Sequence, residues 1–427
     1  LVIGILIVYV QDYSVKTLET QIWEPQICVQ KGNPFVKIRK LVEGVRLNEI
    51  RIEKVTGSKA RNRFIKFAWR VYKDDENWVP PLIMDIKERL NPHKHPFFEH
   101  AETDLFLAYK QGVLSGRIAA ILDENHNRTH NERVVFFGMY ESRNDPDVAA
   151  ALLDRATEWG RERGMTVLRG PMNLSMNDEC GFLAEGFDAP PVIMMTYNPP
   201  YYPTLMEQCG LVKAKDLYAF YMHKDHETSQ KVNQIVAKVK DSAPITLRTI
   251  DMKNLDQEMA KIRHIYNQGW EKNWGFVPWT DREMEYVGHK LKQIADPDIV
   301  ILAEDRGKPV GFAVGLPNYH EALIHINGRL TPLGLLKLMY YRRKITGIRA
   351  IVFGVLKEYR MTGLSYYLYW QLEKNSLAKG YTWAETSWQL EDNHAINRFV
   401  ASLGGKVYKK YRIYEKNIAD KNRIEEV

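Results

Sequence analysis

The chain has 427 residues, more than one ordinary domain, so two are expected. With 45% hydrophobic and 26% charged residues it is globular rather than disordered or fibrous material. The net charge of +7 suits an anionic ligand or an acidic membrane surface, whereas nucleic acid is disfavoured because no basic tail, zinc-finger spacing or RNP-type motif accompanies it.

Cys28, Cys180 and Cys209 are widely spaced, fit no metal pattern and leave one thiol unpaired whichever two are joined. That points to a reducing cytoplasm and to no metal. The first ten residues, LVIGILIVYV, are wholly apolar. About 20 are needed to cross a bilayer. No Met, basic flank or A-x-A site frames them, so residues 1–46 are expected to be an extension, disordered or mis-started.

A globular region follows over 47–225. IRIEKV reads as a strand, and Phe64, Ile65, Ala68, Trp69 and Tyr72 fall at helical spacing. A short helix is expected from Leu82 to Leu90, and HPFFEHAETDLFLAYKQGVLSGRIAAILDE reads as strand, Gly turn, strand. In SRNDPDVAAALL, Asp145 is placed as an N-cap with Pro146 at the first helical position. The stretch GPMNLSMNDECGFLAEGFDAPP has no helical period and is long for a loop. Two readings stand: a solvated surface loop, or a cover over a pocket in which Asn177, Asp178, Glu179 and Glu185 meet an amine. Val232, Ile235, Val236 and Val239 then predict a packed linker helix over 226–243, with no chemistry assigned to it.

The second region, 244–417, opens with the strand PITLRTIDM and a helix containing Ile262, Ile265 and Tyr266, which runs into NQGWEKNWGFVPWTDREM. INGRLTPLGLLKLMYYRRKITG sets leucines beside Arg342, Arg343 and Lys344. It reads as a helix covering a core, or as a lid that shelters an acyl chain or rests on an anionic membrane. A polar tail, 418–427, ends the chain.

The two regions can be laid on each other. Leu107-Ala108-x-x-x-Gly112-x-x-x-Gly116 matches Leu302-Ala303-x-x-x-Gly307-x-x-x-Gly311 at an offset of 195 residues, as do Asn198 with Asn393 and Gly210 with Gly405. Phe137-Gly138 matches Phe353-Gly354, and Gly164 matches Gly380, at an offset of 216. A tandem duplication follows, with one insertion in each copy.

Strand-forming residues 351–356 lead through Arg360, Gly363 and Ser365, an R-x-x-G-x-S element, into a helix with Leu364, Leu368 and Leu372 on one face. A helix N-terminus presents unpaired N–H groups and partial positive charge, and a glycine lets a phosphate approach them. A strand candidate from Thr382 to Gln389 follows, then a helix opened by Asn393, Gly404-Gly405 and a last strand. At offset 216 the first copy sets Asn144, Pro146 and Asp147 opposite Arg360, Thr362 and Gly363. Its carboxylates would repel a pyrophosphate, so only the second copy is expected to bind one.

This order of elements resembles the GNAT superfamily of acyl-CoA N-acyltransferases. The resemblance implies an α/β (α+β) protein of two tandem GNAT-like domains, the first degenerate, each a mixed, mostly antiparallel twisted sheet flanked by helices. It implies acetyl-CoA or a longer acyl-CoA as co-substrate and acyl transfer to a small-molecule or lipid-like amine by direct attack in a ternary complex. Val355, Leu356, Arg360, Met361, Thr362, Gly363, Leu364, Ser365 and Asn393 would then hold the CoA. Trp270, Asn273, Trp274, Phe276 and Trp279 would form the acceptor wall, with Asp178 and Glu179 as further substrate contacts. Glu385, on the strand after the CoA helix, is the first candidate base if alternation turns it to the acceptor cleft. The family often places a tyrosine acid seven residues after the Asn, where this chain has Val400; Tyr408 or Tyr411 would have to substitute. The alternative is a non-catalytic CoA-binding or interaction protein that kept the fold.

Overall fold

The computed structural model describes residues 49–225, 230–242, 244–270 and 273–419. The N-terminal apolar run and most of the polar tail lie outside them. Asn48–Val427 forms one compact unit.

Its strands are β1 (Ile50–Lys54), β2 (Ala101–Lys110), β3 (Val113–Asp123), β4 (Val134–Ser142), β5 (Val167–Gly170), β6 (Phe182–Glu185), β7 (Val212–His223), β8 (Ile245–Thr249), β9 (Val300–Asp305), β10 (Lys308–Pro317), β11 (Gly347–Val355), β12 (Trp383–Leu390) and β13 (Lys406–Asn417). Helices of seven or more residues are α1 (Gly57–Lys66), α2 (Ile83–Arg89), α3 (Glu124–His130), α4 (Pro146–Arg161), α5 (Tyr202–Gln208), α6 (Gln230–Ser242), α7 (Leu255–Trp270), α8 (Asp281–Lys292), α9 (Pro332–Tyr341), α10 (Leu364–Ala378) and α11 (His394–Ser402).

The strands join one sheet in the order β1-β2-β3-β4-β5-β13-β7-β12-β11-β10-β9-β8, with β6 paired to β13 off this path. The order reads the same from either end when β1–β5 are exchanged for β8–β12 and β7 for β13. That palindrome is the duplication in three dimensions. It also shows an exchange that the repeat alignment did not contain. β13, the last strand of the second copy, pairs with β5 of the first, while β7, the last strand of the first copy, pairs with β12 of the second. The two exchanged strands pair with each other in the middle of the sheet.

Local chemistry sets the flanking helices. In α10, Leu364, Leu368 and Leu372 are buried at helical spacing. In α4, Val148, Ala149, Leu152, Leu153 and Ala156 do the same in the first copy, and Asp145 caps the helix by accepting from the Asp147 and Val148 amides. Lys110 reaches both Asp145 (2.7 Å) and Asp147 (3.0 Å), so the corresponding helix N-terminus of the first copy is already filled by paired carboxylates. The first-copy insertion is not a solvated loop. Met172, Leu174, Met176, Cys180 and Leu183 belong to the core, and its start fills the gap beside β4: the Met172 amide donates to Phe137 O (2.8 Å) and Asn173 Oδ1 accepts from the Met139 amide (2.9 Å). Gly138 permits this approach, since a Cβ there would stand 1.7 Å from Met172 O.

Candidate functional site

The site of the second copy begins where two strands part. β11 and β12 run parallel in register from Gly347/Trp383 to Ala350/Thr386 and no further. Beyond that point β11 continues to Val355 without a paired neighbour on that side, and residues of both strands line a cavity of about 1120 Å³. This exceeds the ~300–1,000 Å³ of ordinary small-molecule sites.

The glycine-capped start of α10, the expected phosphate cradle, is part of the cavity lining. Gly363 caps α10 with φ +85°, a left-handed backbone that glycine adopts without cost. A Cβ there would lie 2.8 Å from Ile235 Cγ2 and 2.9 Å from Val239 Cγ2. The linker helix α6 is therefore laid directly over the cradle, and Ile235, Lys238 and Val239 line the cavity. Sequence reasoning gave this helix no chemistry; its amphipathic spacing says that it packs but not on what. Arg360, Met361, Thr362, Gly363 and Ser365 all line the cavity, with Met361 95% exposed at its mouth. Thr362 Oγ1 accepts from the Leu364 amide (3.3 Å) and donates to Tyr359 O (2.8 Å). Asn393 caps α11 and lines the cavity, as do Val355 and Val400. Leu356 and Leu364 do not; both side chains are buried in the core.

The other wall joins two segments about 100 residues apart. Asn273, Trp274, Phe276 and Trp279 line the cavity together with Met176, Asn177 and Asp178 of the first-copy insertion. Asn177 Nδ2 donates to Val277 O (3.1 Å), and Met176 packs on Gly275, which holds the segments together. Trp270 closes α7, and its side chain lies outside the described residues. Asp178 accepts from the Ser175 hydroxyl (2.8 Å) and amide (3.2 Å) through Oδ2. It is deeply enclosed yet keeps a face on the cavity. Burial, opposed by the nearby Arg89 charge, pushes its carboxyl up to about 6. Glu179 is different: it does not line the cavity and is held by Arg89 through two bonds (2.9 and 3.2 Å). Burial raises its pKa but is outweighed by the Arg89 charge, so the carboxyl lies below its usual range. Its place is structural rather than at the cavity surface.

Glu385 also departs from expectation. Its residue is 0% exposed, and it is Ala384 and Thr386 on either side that line the cavity. Glu385 Oε2 accepts from the Tyr408 hydroxyl, and Oε1 has no hydrogen-bond partner. Alternation along β12 separates two faces but does not say which one the substrate sees. Tyr408 is likewise absent from the lining, and burial beside Glu385 drives its phenol well above the usual range, so neither residue is placed for proton transfer in the cavity. Tyr411 is fully buried in the core.

Arg349 was not legible beforehand. It lies on β11 beside Glu385 in the ladder, is buried, and lines the cavity. Its guanidinium donates to Ser387 Oγ (3.1 Å), Ser387 O (3.1 Å), Ile193 O (2.9 Å) and Met194 O (2.9 Å), tying β11, β12 and the end of the first-copy insertion into one wall. Desolvation lowers its pKa, and the Glu385 charge opposes that. Leu255, Met259, Ile262, Val287 and Leu291 form an apolar stretch of the lining from α7 and α8, while His223, Lys224, Glu373, Thr386, Ser387 and Gln389 add polar groups elsewhere.

A duplicated sheet of this strand order, with parted parallel strands beside a glycine-capped helix, defines a tandem GNAT fold. Among solved structures the chain is similar to a tandem GNAT protein from the clavulanic acid biosynthesis pathway, with a TM-score of 0.51 at 12% identity over 87% of this chain and 99% of that one. It is also similar to a glucosamine N-acetyltransferase region of a fungal multi-domain β-N-acetylglucosaminidase, with a TM-score of 0.51 at 12% identity over 86% of this chain and 38% of that one. No protein-family profile matches. The chain belongs to the family of two bacterial proteins. The bacterial ceramide synthase of Caulobacter vibrioides is 37% identical over 364 residues, 83% of this chain and 94% of that protein. Protein YghO of Escherichia coli is 36% identical over 363 residues, 83% and 92% respectively.

Proposed function

We propose that this protein is an acyl-CoA-dependent N-acyltransferase whose acceptor is a long-chain amine. The observation that supports the reading is one cavity lined both by the glycine-capped helix start and by the wall of Asp178 and aromatic residues, with an apolar stretch from α7 and α8. Ceramide is the fatty-acid amide of a long-chain amino alcohol, and the relative of that name supports an acceptor of this class for the present chain.

The α10 N-terminus and Gly363 would receive the CoA pyrophosphate, with Arg360 and Lys238 adding positive charge from either side. The unpaired edge of β11 beyond Ala350 supplies backbone N–H groups to the thioester oxygen as charge develops on it. The amine nitrogen attacks the thioester carbon, the C–N bond forms, the C–S bond breaks, and the sulfur leaves as CoA thiolate, which takes a proton from solvent. Asp178 would take the amine proton: of Asp178, Glu179 and Glu385 it is the one that lines the cavity. Its carboxyl, raised to about 6, is ionised at neutral pH and is a stronger base than an ordinary aspartate.

Thermal unfolding with CoA, acetyl-CoA and palmitoyl-CoA tests the donor half. A ligand at about 100 times its dissociation constant adds about 2.7 kcal/mol. Ser365→Asp, which copies the acidic first turn of α4, is expected to abolish the shift while preserving the melting point of the free protein. Release of thiol from palmitoyl-CoA on addition of a long-chain amino alcohol, with the amide seen by mass spectrometry, tests the acceptor half. A thermal shift without turnover on any amine would favour the binding-protein alternative, which the Val400 position supports. No shift with any CoA species would end the proposal.

A further inference from the structure

The second-copy insertion carries a helix with its apolar side outward. In α9, Gly334 is buried and Leu338 and Tyr341 are half-buried, at the spacing of one helix face. The opposite face consists of Leu333 (64% exposed), Leu336 (64%) and Tyr340 (56%), flanked by Leu335 and Met339, which are also exposed. An ordinary surface helix places polar residues there. A contiguous exposed apolar face of this kind marks an interaction surface.

Charge identifies what it meets. From residue 322 to 344 the chain contains Arg329, Lys337, Arg342, Arg343 and Lys344 and no Asp or Glu. All five cations are exposed. Glu321, just before this run, spends its carboxylate on the Thr346 and Gly347 amides (2.9 Å each) and neutralises none of them. Lys344 lies 4.3 Å above the Tyr340 ring, so the basic cluster and the apolar face adjoin. The Trp69 indole donates to Asn327 Oδ1 (2.7 Å), and the Ile83 amide donates to Gly328 O (3.0 Å), so the base of the insertion is fixed to the first copy while its apolar face points away. None of the described helices is long and apolar enough to cross a bilayer. Leucines, a methionine and a tyrosine rimmed by Lys and Arg are the composition of a helix that lies in the headgroup region of an acidic membrane.

We infer that α9 and the Arg342–Lys344 turn dock the protein on the surface of an anionic lipid bilayer. The leucines enter the headgroup boundary, and the cations meet lipid phosphates. This surface is separate from the cavity lining, and the inference stands whether or not the proposed reaction is correct.

The test is flotation of the full chain with vesicles of phosphatidylcholine alone or mixed with phosphatidylglycerol. The parent is expected to float with the anionic vesicles only. Arg342/Arg343/Lys344→Glu is expected to lower its partitioning on the order of 100-fold, and Leu333/Leu336/Tyr340→Ser should lower it without altering charge. Both sets of side chains are exposed, so each variant should melt with the parent. Parent protein that stays at the bottom of the gradient overturns the inference. Flotation of both variants like the parent does the same, because another segment would then carry the binding. A parent that fails to float but sediments as an oligomer, which the serine variant dissociates, would show that a second copy of the chain covers this face instead.

Discussion

Asp178→Asn should make the protein more stable at neutral pH and much less active. In the folded state burial holds the Asp178 carboxyl up at about 6, against 3.8 for an ordinary aspartate. As pH rises, the unfolded chain gives up this proton near the ordinary value while the folded chain keeps it until about 6. Stability therefore falls through this window, and the whole penalty is present above it. The full gap corresponds to about 3 kcal/mol, of which about 2 kcal/mol accrues between about pH 4.5 and 7.5. Asparagine keeps the shape and cannot ionise. Urea unfolding of both proteins across this range should show the stability of the variant relative to the parent climbing by about 2 kcal/mol toward the upper end. Acyl transfer by the variant should fall by about 10²–10⁴. In the parent the rate should drop as pH falls through about 6, as the base is protonated. A stability difference that does not change with pH, or a variant of undiminished activity, would refute the assignment of Asp178.

Two further outcomes follow from the cavity. Gly363→Ala should cost about 1–2 kcal/mol for a left-handed alanine and about 1–3 kcal/mol for forcing Ile235 and Val239 aside; in an Ile235→Ala/Val239→Ala background the second part should vanish, which a double-mutant cycle by urea unfolding measures. Gly288 lines the apolar arm of the cavity, where a Cβ would come within 3.2 Å of Met259 Cγ. Gly288→Leu should therefore shift chain-length preference by ~10-fold in kcat/KM from palmitoyl-CoA toward octanoyl-CoA, or between long and short amine acceptors, with an unchanged ratio for both showing that no hydrocarbon lies there.

The parts of the site that could be read from the chain are those written in consecutive residues. The Arg360–Ser365 element follows a strand and opens a helix, and the chemistry of a helix N-terminus needs nothing from elsewhere. Asn273, Trp274, Phe276 and Trp279 are likewise a local cluster in the chain, and all four line the cavity. Glu385 failed because a strand pattern fixes parity, and parity alone does not name the face that holds the cavity. Arg349 and Lys238 were missed for a different reason. Each gains its place from neighbours that sequence order does not supply, Arg349 from the Ile193 and Met194 carbonyls and Lys238 from the approach of α6 to Gly363. In the same way the repeat alignment revealed two copies but not their exchanged last strands, since both pairings satisfy the same alternating pattern.

That exchange governs the order in which the protein can be completed as it leaves the ribosome. β5 ends at Gly170, yet the partner that covers its edge begins at Lys406. At about 5–20 residues per second, roughly 10 to 50 s of synthesis separate the two. Through that interval β5 lacks its native neighbour β13, and β7, once made, lacks β12 until residue 390 and β13 until the end. The first half therefore reaches its native pairing only when the last strand is made, and a chain broken before β13 leaves β5 and β7 each short of a native neighbour.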